Sequence, residues 1–184
     1  MEDKFLISAC KKGEPWAQRQ IYENYASAMF SVCLRYAPEK ETARDLLQDG
    51  FITVFTKIHT YSGNGAFSSW MKKIFVNTSL EYIRKNKERF YLEIDSQEIS
   101  YLPDNEIEII EQLSADELFD CITKLPDGYR TIFNLYAIEG YTHVEIAEIL
   151  NINESTSRSQ YMRARKLLQD MILSGYKMIK YSYR

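Results

Sequence analysis

The chain has little of what marks an extracellular, metal-binding or catalytic protein. It carries three cysteines, Cys10, Cys33 and Cys121, in 184 residues. They are odd in number and widely spaced, so they neither build a disulfide framework nor form a C-x-x-C metal clip. Reduced thiols are the expectation. His59 and His143 are the only histidines and lie far apart, so no metal site or other cofactor is expected. There is no nucleophile–base set and no phosphate loop, which leaves a small-molecule enzyme without support. No apolar run is long enough to span a bilayer and no secretory signal opens the chain. The reading is therefore a cytoplasmic protein without direct membrane insertion. Period-two alternation is scarce throughout, which argues against strands.

What the chain does have is helical periodicity with clear punctuation, an all-α pattern. A short helix is predicted over Asp3 to Lys11. Pro15 is well placed to open the next, because its missing N–H would have no partner there anyway. That helix carries Trp16, Ile21, Tyr25, Met29, Val32 and Leu34 and stops before Pro38. A third helix runs from about Glu39 to Thr60, with Leu47, Phe51, Val54 and Ile58 as its buried stripe. The segment Tyr61 to Phe67, YSGNGAF, is a loop with two glycines. A fourth helix follows from Ser68 to about Arg89.

The net charge of −3 is unevenly spread. Residues 1–90 hold 14 Lys/Arg and 10 Asp/Glu, residues 91–120 hold 10 Asp/Glu and no Lys or Arg, and residues 121–184 hold 9 Lys/Arg and 6 Asp/Glu. Two mildly basic modules are thus joined by a strongly acidic segment. The boundaries read as one domain over residues 1–90, a linker over 91–113 and a second domain over 114–184. Such asymmetry speaks about partners rather than fold.

The most informative stretch is Tyr141 to Leu168, YTHVEIAEILNINESTSRSQYMRARKLL. It reads as helix, tight turn and longer basic helix. Thr142 with Glu145 fits a capping box. Ile146 and Leu150 make an apolar stripe, and small Ala147 lets another helix approach. Asn151 tolerates the left-handed backbone at a helix end. Ile152 suits a plug between the helices, and Asn153 suits the next N-cap. In the second helix Ser157, Tyr161, Ala164 and Leu168 should face inward. Ser155, Ser159, Met162, Arg163 and Lys166 should face outward, flanked by Thr156 and Arg158, with Gln160 adding hydrogen bonds from the flank. A helix-turn-helix places such a face in the DNA major groove. A solvated basic face is the blander alternative.

Two further features stand out upstream. Asp45, Gln48, Asp49 and Ile52 share one helix face at spacings of three, four and seven. This strip suits a basic partner, or it is simply a solvated face. Gly50 beside it costs roughly 1 kcal/mol of helix propensity relative to alanine, which a close helix–helix approach would explain. The loop Thr60 to Gly65 has little to bury and favours binding. Phe67, Trp70, Lys72 and Lys73 behind it suit single-stranded bases and phosphates, although Trp70 by itself reads more naturally as core.

The segments DLLQDGF (Asp45 to Phe51), FSSWMKKIFVNTSLEYIRK (Phe67 to Lys85), LPDGYRTIFNLYAIEGYTHVEIAEIL (Leu125 to Leu150) and NINESTSRSQYMRARKLL (Asn151 to Leu168) resemble bacterial extracytoplasmic-function (ECF) sigma factors. They occur in the family's order and cover nearly the whole chain. The resemblance implies two helical domains, region 2-like and region 4-like, joined by a flexible linker. It implies that Asp45, Gln48 and Asp49 grip the β′ clamp helices of core RNA polymerase. It implies that Ser62, Gly63, Asn64 and Gly65, with Ser69, Trp70, Lys73 and Asn77, recognise and melt the −10 element of promoter DNA. Thr156, Arg158, Ser159, Gln160 and Arg163 match the reader of the −35 element, in a domain that also docks on the β flap. An acidic linker is expected to follow a polymerase channel later used by RNA, or to act as a tether. An anti-sigma factor is implied as a partner. Departures from the pattern are Ser157 for an apolar residue, Gln160 for arginine, Met162 for histidine and Glu81 for aspartate. The competing readings are a stand-alone helix-turn-helix regulator and a sigma-like decoy for an anti-sigma factor.

Overall fold

A computed structural model describes the backbone of residues 2–37, 39–86 and 114–182, and side chains over 4–37, 39–86 and 114–174. The expected linker, residues 91–113, lies outside the described residues. Among these residues there are helices and turns but no strand. The chain divides into two compact units, Met1–Lys85 and Asn86–Arg184.

In the first unit α1 spans Glu2–Lys11, α2 Pro15–Tyr36, α3 Lys40–Lys57 and α4 Phe67–Lys85. Pro15 occupies the first turn of α2. The helix stops at Tyr36 because Ala37, with φ −136° and ψ 95°, is extended, the conformation that a following proline imposes. α2, α3 and α4 pack on one another, and α1 leans on α2 and on the 3₁₀ turn Ile58–Thr60 that ends α3. Their core is built from Ile21, Met29 and Tyr36 of α2, Leu46, Phe51 and Val54 of α3, and Met71, Phe75 and Leu80 of α4. Each large side chain so buried contributes about 1.5–3 kcal/mol.

In the stripe expected on α3, Leu47 is half-buried and Leu46 takes its place in the core. On α2, Trp16 is 48% exposed and packs on the exposed ring of Phe5, and Leu34 is half-buried. α4 runs to Lys85, and residues 87–89 of the expected helix lie outside the described residues.

Gly50 finds its reason here. A Cβ at Gly50 would sit 2.2 Å from Cε1 of Phe75. The glycine therefore admits the α4 ring against the α3 backbone, the close approach for which its lost helix propensity is given up.

In the second unit α5 spans Ala115–Thr123, α6 Asp127–Phe133, α7 His143–Leu150 and α8 Glu154–Ser182. α6 runs into one π turn, Asn134–Ile138. The core joins Ile122, Leu125, Tyr129, Ala164 and Leu168. Ser114 caps α5 in a reciprocal box with Glu117, and the two Ser114 hydrogen bonds pull the Glu117 carboxyl below its ordinary range. Arg130 is buried in this unit. It donates to the Leu125 carbonyl at 2.7 Å and pairs with Asp127, so the guanidinium ties the α5–α6 turn together from inside. The backbone of α8 continues through the tail from Gly175 to Ser182.

Candidate nucleic-acid and polymerase interfaces

The helix-turn-helix forms as its residues require. Thr142 is the N-cap of α7, and its side chain accepts from the Glu145 N–H while the Glu145 carboxylate accepts from the Thr142 N–H at 2.8 Å. These bonds also hold the Glu145 carboxyl below its usual value. Asn151 ends the helix with φ 54° and ψ 53°, the left-handed region that asparagine enters more readily than most side chains. Ile152 is half-buried in the turn. The Asn153 carbonyl then accepts from Ser157 N–H at 3.1 Å as α8 begins.

The inner face of α8 holds Ser157, Ala164 and Leu168 buried and Tyr161 half-buried. The buried hydroxyl of Ser157 shares a hydrogen bond of 2.9 Å with Nδ1 of His143. A polar pair thus joins α7 to α8. Above it the imidazole stacks on Tyr136 with centroids 4.2 Å apart, and Tyr136 packs on Tyr161 at 4.5 Å. Burial, and secondarily the Arg158 cation, push His143 below its ordinary pKa, with Glu154 opposing. The packed joint accordingly favours the neutral ring over the imidazolium.

On the outer face Ser155, Arg158, Ser159 and Met162 are exposed, with Thr156, Arg163 and Lys166 half-buried beside them. Arg158 is paired with Glu154 one turn back, its Nε 3.0 Å from the carboxylate. An exposed pair of this kind is worth little, so a phosphate or base edge can displace the glutamate at small cost. The Ser159 hydroxyl donates to the Thr156 carbonyl.

Gln160 is a correction. Expected on the DNA-facing flank, it is 1% exposed, and among the described residues its Oε1 has no hydrogen-bond partner. It lies three residues after Ser157 and four before Ala164, on the inner stripe. Helical spacing alone places it inside, and its polar character pointed the other way.

In the first unit the strip on α3 is solvent-facing. Asp45, Gln48 and Asp49 are exposed, and Ile52 at the end of the strip is 57% exposed. The opposite face of α3 carries Leu46, Gly50, Phe51 and Val54 into the core. The helix thus offers one face to its own bundle and leaves an acidic face with an apolar terminus uncovered.

The loop between α3 and α4 exposes Ser62, Gly63, Asn64 and Gly65. It is more built than its sequence suggests. Tyr61 is buried rather than part of an empty loop, and its hydroxyl donates to the Gly65 carbonyl at 2.6 Å. Lys11 of α1 donates to the Tyr61 carbonyl at 2.7 Å. Gly63 and Gly65 have φ of 85° and 79°, where a side chain would be strained. Asn64 N–H donates to the Ser62 hydroxyl at 3.3 Å. Beyond the loop, Ser69, Lys73 and Asn77 are exposed at successive turns of α4. Trp70 is half-buried, stacked on Phe67 at 5.6 Å and against Tyr61 at 5.5 Å. Trp70 is therefore part core and part surface.

Fold and surfaces together define a class: a helical bundle with an uncovered acidic face and a braced glycine loop, followed in the chain by a helix-turn-helix domain. The family models agree. Sigma-70 region 2 matches residues 21–89 and sigma-70 region 4 matches residues 115–168. The ECF RNA polymerase sigma factor SigW of Bacillus subtilis strain 168 is 30% identical over 181 residues, covering 92% of this chain and 96% of SigW. The ECF RNA polymerase sigma-E factor of Haemophilus influenzae is 27% identical, covering 94% and 96% respectively. A solved structure of CnrH in complex with the cytosolic domain of CnrY aligns with 94% of this chain and 97% of that chain, at 20% identity and TM-score 0.48. The chain belongs to the ECF sigma factors of the sigma-70 family. It is an RNA polymerase sigma factor, a DNA-binding protein that gives core polymerase its promoters.

Proposed function

We propose a division of labour between the three surfaces. Asp45, Gln48 and Asp49 hold the β′ clamp helices. The loop Ser62–Gly65, with Ser69, Trp70, Lys73 and Asn77, takes the −10 element as separated strands. Thr156, Arg158, Ser159 and Arg163 read the −35 element as duplex, and their domain meets the β flap. The observation that carries this is the order and exposure of the surfaces. A solvent-exposed acidic face on α3 precedes an exposed helix face bearing arginine and short hydroxyls.

The chemistry follows from each surface. Carboxylates with a neighbouring isoleucine suit basic helices, whose charge they meet at the rim while Ile52 is covered. Hydroxyls near the start of α8 approach phosphates at the positive end of the helix dipole. Arg158 and Arg163 reach base edges or backbone. The braced loop keeps its backbone fixed while a base leaves the stack, so little ordering entropy is lost at melting. No catalytic role is assigned to any residue, since polymerase makes the RNA. Two small footprints give few phosphate contacts, and core polymerase raises their effective concentration by fixing their spacing. No described helix is long and apolar enough to cross a membrane, and a cytoplasmic location fits the work on polymerase. An anti-sigma factor that covers the polymerase-binding faces is the proposed regulator.

Transcription in vitro with purified core polymerase on fragmented genomic DNA tests this reading. Run-off products whose start sites share an upstream pair of sequence elements are expected. Products independent of the added chain would contradict it.

A further inference from the structure

α1 lies before residue 21, where the region 2 match begins, and apart from the brace that Lys11 gives the loop its residues have no part in the division of labour above. Yet α1 makes one wall of a cleft of about 780 Å³, a size typical of ligand sites, which run from about 300 to 1,000 Å³. Lys4, Ser8 and Lys11 line that wall. Their spacings of four and three put them on one face of the helix, and all three are exposed. The facing wall is the braced loop, with Ser62, Gly63 and Gly65. Ile7 and Phe67, both buried, contribute to the lining. Among the described residues lining the cleft there are two cations and no carboxylate.

Resting on the reading of the loop as the −10 reader, we propose that this cleft seats a backbone phosphate of single-stranded DNA, beside the nucleotide taken by the loop. Lys4 supplies a charge-assisted contact and the Ser8 hydroxyl a hydrogen bond. Lys11 has a double task. One of its three protons is given to the Tyr61 carbonyl at 2.7 Å, which fixes the loop, and the others face the same anion. The glycines leave the opposite wall low, so a sugar–phosphate chain can lie close to the loop backbone. A strand held at base and phosphate together is held in register, which a base pocket alone does not secure.

Trp70 provides the readout, because its ring rests on Tyr61 and Phe67, which line the cleft. Trp16 is the only other tryptophan. The full chain carrying Trp16→Phe is titrated with oligo(dT), following Trp70 fluorescence at several salt concentrations. A saturable, salt-sensitive change is expected. Lys4→Ala, a change at an exposed side chain, should weaken binding about threefold and make the slope of log affinity against log salt shallower by about 0.7, the share of one phosphate on a single strand. Equal affinity and equal slope for Lys4→Ala would overturn the proposal. So would the absence of any Trp70 response, or an equal response to inorganic phosphate, which would mark an anion seat indifferent to the strand. A parallel assay separates this from the underlying reading. Asn64→Ala is tested in holoenzyme for permanganate-reactive thymines at a promoter. If it melts DNA normally, the loop assignment falls and the seat with it. If melting suffers while Lys4→Ala is inert, only the α1 seat falls.

Discussion

Gly50 shows how far a single residue can decide the packing of two helices. Alanine there would recover roughly 1 kcal/mol of helix propensity but would press a methyl into the fully buried Phe75 ring. Overpacking of that kind typically costs about 1–3 kcal/mol, and the ring has no exposed side to move toward. Gly50→Ala is therefore expected to destabilise the first unit despite its better helix former. Both tryptophans lie in this unit, so urea unfolding followed by their fluorescence reports it separately. His143 makes the corresponding case in the second unit. Its folded pKa lies below the ordinary 6.5. As pH falls through 6.5 the unfolded chain takes up a proton that the folded joint resists. Stability of the helix-turn-helix is thus fully present above that value and declines below it. Protection factors for α7 and α8 amides, corrected for intrinsic exchange, should fall as pH drops below the ordinary imidazole value of about 6.5 in the parent. They should change less in His143→Gln.

Among the helices, caps and turns were the easiest features to read from sequence. Thr142, Glu145 and Asn151 act within a few residues of one another, and local chemistry dictates what they do. Thr142→Ala removes the hydroxyl that accepts from the Glu145 N–H and should cost about 1 kcal/mol, seen as lower exchange protection in α7. The same locality explains what stayed hidden. Gly50 of α3 meets Phe75 of α4, and Ser157 of α8 meets His143 of α7, fourteen residues away in sequence. The buried Arg130 reads as a surface cation until the Leu125 carbonyl is seen inside the turn. Such pairings depend on how helices cross, which periodicity does not encode. Residue type alone does not settle burial: Trp16 is an aromatic on a largely buried helix and is 48% exposed. Gln160 is the converse, a polar side chain expected on the outer flank that its position between Ser157 and Ala164 turns inward. The exposed strip on α3 and the outer face of α8 were recoverable from spacing, whereas the bracing of the loop by Tyr61 and Lys11 was not.

Across the whole chain, the two units carry surfaces that act on different partners, so their variants should separate cleanly. Gln48→Ala is expected to weaken association with core polymerase while leaving upstream-element preference intact in whatever complex still forms. Arg158→Ala and Arg163→Ala should do the reverse, each losing about 1–3 kcal/mol if it reads a base, or reducing the salt dependence by about one phosphate if it holds backbone. Competition binding to core and transcription from promoters with altered upstream elements would measure the two effects. Loss of both activities in every variant would mean that the surfaces are not separate. The acidic segment, with ten carboxylates and no cation over residues 91–120, is proposed to follow a path in polymerase that also holds RNA. Replacing the acids by Asn and Gln should then alter the ratio of abortive to full-length transcripts. The most direct measurement is the association of the purified full chain, free of any inhibitor, with bacterial core RNA polymerase. A saturable one-to-one complex weakened by Gln48→Ala is the expected result. A chain that never binds core under any condition would contradict the assignment of its surfaces.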